Sequence, residues 1–144
     1  SMFKKILVPV DGSEYSDQAL QKAKAIAGAF DSEIVLLNVI ETTKSDYPTN
    51  PYKFSQELVK QYHNESRMIS EKILGAAQAQ LSGLKVTTQA LEGRPADVIL
   101  QYAKNNDIDL VIMGSAGIGG VRNMLGSVTR QVALGLEIPI LIIR

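Results

Sequence analysis

Apolar and polar positions alternate in blocks along this chain, and the blocks change period from element to element. Phe3 to Val10 is a short, mostly apolar run stopped by Asp11-Gly12-Ser13. A run with no polar alternation reads as a strand buried on both faces, hence part of a parallel sheet. Ser13 then serves as N-cap for a helix to about Ala29, with Ala19, Leu20, Ala23, Ile26, Ala27 and Phe30 at helical spacing. Ile34 to Val39 is a second buried strand. Residues 41–52 are polar, hold two prolines and have no period, so they read as a loop or the edge of a lid. Phe54, Leu58, Tyr62, Ile69, Ile73, Ala76 and Gln80 or Leu81 trace one face of a long helix ending at Ser82-Gly83.

The second half repeats the alternation. Leu84 to Ala90 is an edge strand softened by Thr87, Thr88 and Gln89, and a short helix carries Ala96, Val98, Ile99, Tyr102 and Ala103. Leu110 to Met113 is a strand that runs into a glycine-rich turn. A helix to about Leu134 and a final strand, Ile140 to Ile143, complete the order βαβαβαβαβ. Right-handed crossovers then make an α/β fold: a three-layer α/β/α sandwich, Rossmann-like, around a five-stranded parallel sheet. Such folds bind ligands at the carboxyl ends of strands where the strand order reverses. If strands 1 and 4 flank that point, Asp11 and Gly114 share one crevice; the pattern alone leaves the order open.

Composition narrows the function. The 144 residues read as one domain, 2–144, and 15 basic side chains balance 15 acidic ones. No global field favours nucleic acid or an anionic membrane surface. Absence of cysteine excludes disulfides, thiol catalysis and thiolate-held metals. No stretch approaches the ~20 apolar residues of a membrane span, so the expected residence is cytoplasmic. His63 is the sole histidine and is placed on the polar side of its helix, without a metal or catalytic role.

Gly114-Ser115-Ala116-Gly117 followed by Gly126-Ser127 is neither a P-loop, since no lysine follows the glycines, nor a dinucleotide fingerprint. What remains is a backbone able to curl around an anion and present successive N–H groups to it. Ser127 and Thr129 could add hydroxyl donors, and Arg122 or Arg130 a counter-charge. The competing reading makes Gly119-Gly120 a plain turn and Ser127 a helix residue bonded to its own backbone.

The segments Lys5-Ile6-Leu7-Val8-Pro9-Val10-Asp11-Gly12-Ser13, Leu36-Leu37-Asn38-Val39, Gly93-Arg94-Pro95, Met113–Gly117 and Leu125–Thr129 together resemble the universal stress protein family over essentially the whole chain. The resemblance implies an adenine nucleotide alpha hydrolase-like fold with strand order 3-2-1-4-5. The family's nucleotide-binding branch carries glycine, two residues, glycine, nine residues, then glycine and serine or threonine. Gly114, Gly117 and Gly126-Ser127 match, but only eight residues, 118–125, lie between Gly117 and Gly126.

By that resemblance, Asp11 faces the ribose, Pro9 and Val10 line the adenine pocket, and Val39 offers backbone groups to the base. Met113 packs beneath the ribose or base. Gly114, Gly117, Gly126, Ser127, Val128 and Thr129 hold the phosphates. Position 38 is often histidine in the family; here it is Asn38, and no function is attached to it. The implied ligand is ATP, or ADP or AMP, with or without Mg2+. The implied activity is nucleotide-dependent regulation of a stress response with little or no hydrolysis. A homodimer through strand 138–143 is also implied. The rival expectations are a dimeric scaffold that binds no nucleotide and a slow ATP hydrolase.

Overall fold

The computed structural model describes residues 2–41 and 56–144. Its elements are β1 (Lys5–Pro9), α1 (Glu14–Phe30), β2 (Glu33–Glu41), α2 (Gln56–Ala79), β3 (Lys85–Gly93), α3 (Pro95–Asn105), β4 (Leu110–Gly114), α4 (Ser127–Gly135) and β5 (Ile140–Ile143). All neighbouring strands are parallel, in the order β3-β2-β1-β4-β5. The expected three-layer sandwich and strand order are therefore those observed.

Two cores explain why the strands lack alternation. Ile6, Val8, Ile34, Leu36, Leu110 and Ile112 pack with Ala19, Leu20, Ala23 and Ala27 of α1 and with Leu74 and Ala77 of α2. Leu7, Val35, Leu37, Val111 and Met113 point the other way, against Ala96, Ile99 and Ala103 of α3 and Val132 of α4. Successive strand residues face opposite layers, so both sets must be apolar. The small side chains of α1 let that helix lie close to the sheet. Ser13 caps it as expected, its hydroxyl accepting the Ser16 N–H at 3.1 Å.

Several boundaries differ from the sequence expectation, β1 spanning Lys5–Pro9 rather than Phe3 to Val10. β2 runs to Glu41 and β3 to Gly93, because the two strands stay paired from Glu33↔Lys85 to Glu41↔Gly93. β1 pairs with β2 only as far as Pro9↔Leu37. The last four residues of β2 thus rise past the end of β1 and wall a crevice. α2 ends at Ala79 rather than at Ser82-Gly83, its last turn tightening through Gln80 N–H to the Ala77 carbonyl and Leu81 N–H to the Gln78 carbonyl.

The expected inner face of α2 is corrected in part: Ile73 packs against the core and Leu81 is buried just past the helix end, as expected. Ile69 is 60% exposed and Leu58 is exposed, whereas Ser70, Leu74 and Ala77 are buried. Apolar periodicity misplaced the face because a buried serine holds one of its central positions. His63 is half-buried on this face rather than on the polar side, with its ring edge-on to Tyr62. Phe54 and loop 42–52 lie outside the described residues.

Candidate functional site

The strand order reverses between β1 and β4, and a cavity of about 410 Å³ opens there at the carboxyl ends of the strands. All eleven residues singled out from sequence line it: Pro9, Val10, Asp11, Val39, Met113, Gly114, Gly117, Gly126, Ser127, Val128 and Thr129. Their positions in the chain are far apart; the switch point gathers them.

β4 delivers the glycine loop. The Ser115 N–H donates to the Ile143 carbonyl at 2.8 Å, and its carbonyl accepts the Gly126 N–H at 2.7 Å, so the loop is fastened at its neck. Inside it, Gly120 N–H bonds the Gly117 carbonyl at 2.9 Å, and Gly119 has φ +77°. A turn with positive φ at its third residue favours glycine there. A tight turn thus occupies part of the eight-residue spacing, and Gly126 to Thr129 line the cavity. Close approach of backbone requires glycine at Gly114, and at Gly117 a larger residue would push on the Asp11 side chain. A Cβ at Gly114 would stand 2.7 Å from the Tyr15 backbone, and one at Gly117 would stand 2.5 Å from Asp11 Oδ2.

α4 begins against this loop with Gly126 as its N-cap, and no side chain caps it. The first intrahelical bond is Arg130 N–H to the Gly126 carbonyl. The N–H groups of Ser127, Val128 and Thr129 therefore have no intrahelical acceptor, and all three residues line the cavity. Unsatisfied donors at a helix start form a site for an anion.

Two expected contributions differ. The Thr129 hydroxyl is buried and donates to the Gly114 carbonyl at 2.9 Å, so it ties α4 to β4 and leaves its backbone N–H as the donor toward the cavity. Neither arginine supplies a counter-charge here. Arg122 lines a second cavity with Glu14 and Arg144, and Arg130 is exposed on α4. Among the described residues, the charged side chains on the switch-point cavity are Asp11 and Glu41, both acidic.

Asp11 sits past the end of β1. Its Oδ1 accepts the Ser13 N–H at 2.9 Å and its Oδ2 the Ile118 N–H at 3.3 Å. It shapes the turn into α1 and also reaches the glycine loop, with lone pairs remaining for hydroxyl donors. Val39 presents backbone groups by simple alternation. The Leu37 carbonyl points toward β1, where it accepts the Val10 N–H at 2.9 Å. Two residues on, the N–H and C=O of Val39 point the same way, beyond the last β1 pair and into the crevice. Ile118 lines the cavity and is 78% exposed.

Sequence reading missed Asn38, Ser16, Glu41, Pro95 and Ile99, which also line this cavity. The available signal was Asn38 itself, a lone amide in the apolar run Leu36-Leu37-Asn38-Val39. The second cavity, about 620 Å³, lies on the far side of the glycine loop against α1 and the end of β5, and its lining contains none of the eleven expected residues. No group of three metal-ligating side chains occurs among the described residues, and no described helix is long and apolar enough to cross a membrane.

Comparison with known proteins agrees with the fold. Universal stress protein MJ0531 of Methanocaldococcus jannaschii is 33% identical over 145 residues, covering 100% of this chain and 84% of its own. The solved structure of MJ0577 superposes with a TM-score of 0.77 at 31% identity, covering 99% of this chain and 96% of that one. A family protein from Arabidopsis thaliana, solved with AMP bound, shares the fold at 21% identity and a TM-score of 0.67, over 97% and 90% of the two chains. The model of the Universal stress protein family matches residues 2–144, and the chain belongs to that family.

Proposed function

We propose that this chain binds an adenine nucleotide in the switch-point cavity and acts as a nucleotide-dependent regulator rather than a dedicated hydrolase. One observation carries the reading. Three backbone N–H groups at the start of α4, left without a capping side chain, border the same cavity as the Asp11 carboxylate and the free edge of Val39. The phosphates sit at the helix start, the ribose hydroxyls donate to Asp11, and the base pairs with the Val39 backbone. That a related fold holds AMP supports the ligand class.

With acidic side chains on the cavity and no lysine after the glycines, charge on a triphosphate is countered by backbone dipoles and, when present, by Mg2+ carried on the nucleotide. Phosphoryl transfer needs an oriented water and stabilisation of charge in the transition state. The glycine loop offers donors but no general base, which supports slow turnover at most. Calorimetric titration with AMP, ADP and ATP, each with and without Mg2+, tests the reading. Saturable heat that is lost in Asp11→Ala is expected; absence of heat with all three nucleotides refutes it. Phosphate release equal to that of a Gly114→Val control would agree with a binding protein, and release far above it would make the chain an ATP hydrolase.

The chain also pairs with a second copy through strand 138–143 in this proposal. β5 is an edge strand with Leu141 exposed, and Leu134 and Met124 nearby in sequence are largely exposed as well. An apolar unpaired edge invites an antiparallel partner about a two-fold axis.

A further inference from the structure

We propose that Asn38, anchored by Ser70, is a positioning residue for the nucleoside half of the site. The inference rests on the adenine-nucleotide reading and extends it to two side chains outside the glycine motif. β1 ends its pairing with β2 at Pro9↔Leu37, so the Val10–Asp11 peptide lies past the last rung of the sheet. Its carbonyl needs an acceptor's partner from elsewhere.

Asn38 supplies it. The Asn38 amide Nδ2 donates to the Val10 carbonyl at 2.8 Å, and Asn38 Oδ1 accepts the Ser70 hydroxyl at 2.7 Å. The orientation of the amide follows from chemistry: a carbonyl only accepts, so the nitrogen must face Val10 and the oxygen Ser70. Asn38 and Ser70 are both buried, 6% and 2% exposed. The other side of the same peptide is held by Ser16, whose Oγ accepts the Asp11 N–H at 3.4 Å. The peptide plane is thereby gripped at both ends. It sets the direction in which Asp11 leaves the strand, and so the aim of the carboxylate that meets Ile118 across the cavity. Asn38 faces the α2 layer with Leu36, which is why a serine interrupts the apolar face of α2 at position 70. Helix α2 thus reaches the ribose-side carboxylate through two hydrogen bonds and one peptide.

Asn38→Leu removes the amide at nearly constant shape, and Ser70→Ala removes only its anchor. AMP affinity by calorimetry is expected to fall about tenfold in Asn38→Leu and about threefold in Ser70→Ala. At saturating AMP, the amide resonances of Ser127, Val128 and Thr129 should match those of wild type, because the phosphate end is untouched. A general loss of structure would move both ends together. In ligand-free protein, the Asp11 and Ile118 amide resonances should shift in Asn38→Leu. AMP affinity within twofold of wild type in Asn38→Leu, or unmoved Asp11 and Ile118 resonances, overturns this inference alone. Failure of the wild-type chain to bind AMP overturns the nucleotide reading beneath it. Should Asn38→Leu fail to fold, Ser70→Ala, which keeps the bond to Val10, decides by the same affinity measurement.

Discussion

Gly114 and Gly117 belong to one motif, yet the structure gives them different jobs, and alanine separates the two. At Gly114 a new Cβ would lie 2.7 Å from the carbonyl carbon and oxygen of Tyr15, against the 3.4 Å where ordinary contact begins. Backbone in the first turn of α1 cannot swing aside as a side chain does, so α1 and β4 must part by about 0.7 Å. Overpacking of this kind costs about 1–3 kcal/mol. For a chain of this size, each kcal/mol lowers the melting temperature by about 2–4 °C, which places the loss at about 2–12 °C. At Gly117 the Cβ would meet the tip of the Asp11 carboxylate at 2.5 Å. That side chain is held by Ser13 N–H and Ile118 N–H and lies at the solvent-open cavity. Displacing it costs less, about 1 kcal/mol or under once water replaces the lost bond. The proposed ribose contact, however, moves with it. Thermal melts of both variants, followed by AMP titration, form the assay. Gly114→Ala should lose stability, and Gly117→Ala should melt near wild type while losing about tenfold in AMP affinity. A Gly114→Ala protein melting within 1 °C of wild type would refute the packing argument.

The remaining expectations address separate parts of the molecule. Proline is tolerated at the first position of a helix, and Gly126 already has the extended conformation (φ −64°, ψ 154°) that precedes proline. Ser127→Pro should therefore keep stability but remove one N–H from the anion site, weakening AMP by about tenfold relative to Ser127→Ala without affecting adenosine; equal affinities in calorimetry would count against that N–H. Leu141→Lys on the exposed edge of β5 should convert the proposed dimer to a monomer in analytical ultracentrifugation, and an unchanged sedimentation coefficient would remove β5 from the interface. Burial, with Glu33 nearby, raises the Tyr102 pKa above 10.0. The folded state then holds that proton where the unfolded state releases it, so the contribution is lost as pH rises through 10 and beyond. Tyr102→Phe should flatten this alkaline decline in urea-unfolding free energy, and an identical slope in both proteins would exclude the residue.

Most of the architecture was legible because burial on both faces leaves a plain mark. Strands such as Ile6-Leu7-Val8 and Val111-Ile112-Met113 must satisfy two cores at once, which makes every position in them apolar. The eleven candidate residues were legible as a group through their resemblance to one family, and the switch point then explained why they meet. What escaped was polar and buried. Ser70 broke the apolar period of α2, so the face drawn through Leu58 and Ile69 came out rotated toward solvent. Thr129 looked like a donor for a ligand, while its hydroxyl is committed to Gly114, a contact 15 residues away in sequence that no local pattern encodes. The ends of β2 and β3 were short in the sequence reading because their extension depends on each other and on where β1 stops.

An electron-density map of the protein crystallised with AMP would locate the ligand outright. The phosphate is expected within hydrogen-bond distance of the Ser127, Val128 and Thr129 amides, the ribose on Asp11 and the base against the Val39 backbone. AMP lodged in the neighbouring cavity between Glu14, Arg122 and Arg144, or a switch-point cavity holding only water at saturating AMP, would contradict that placement.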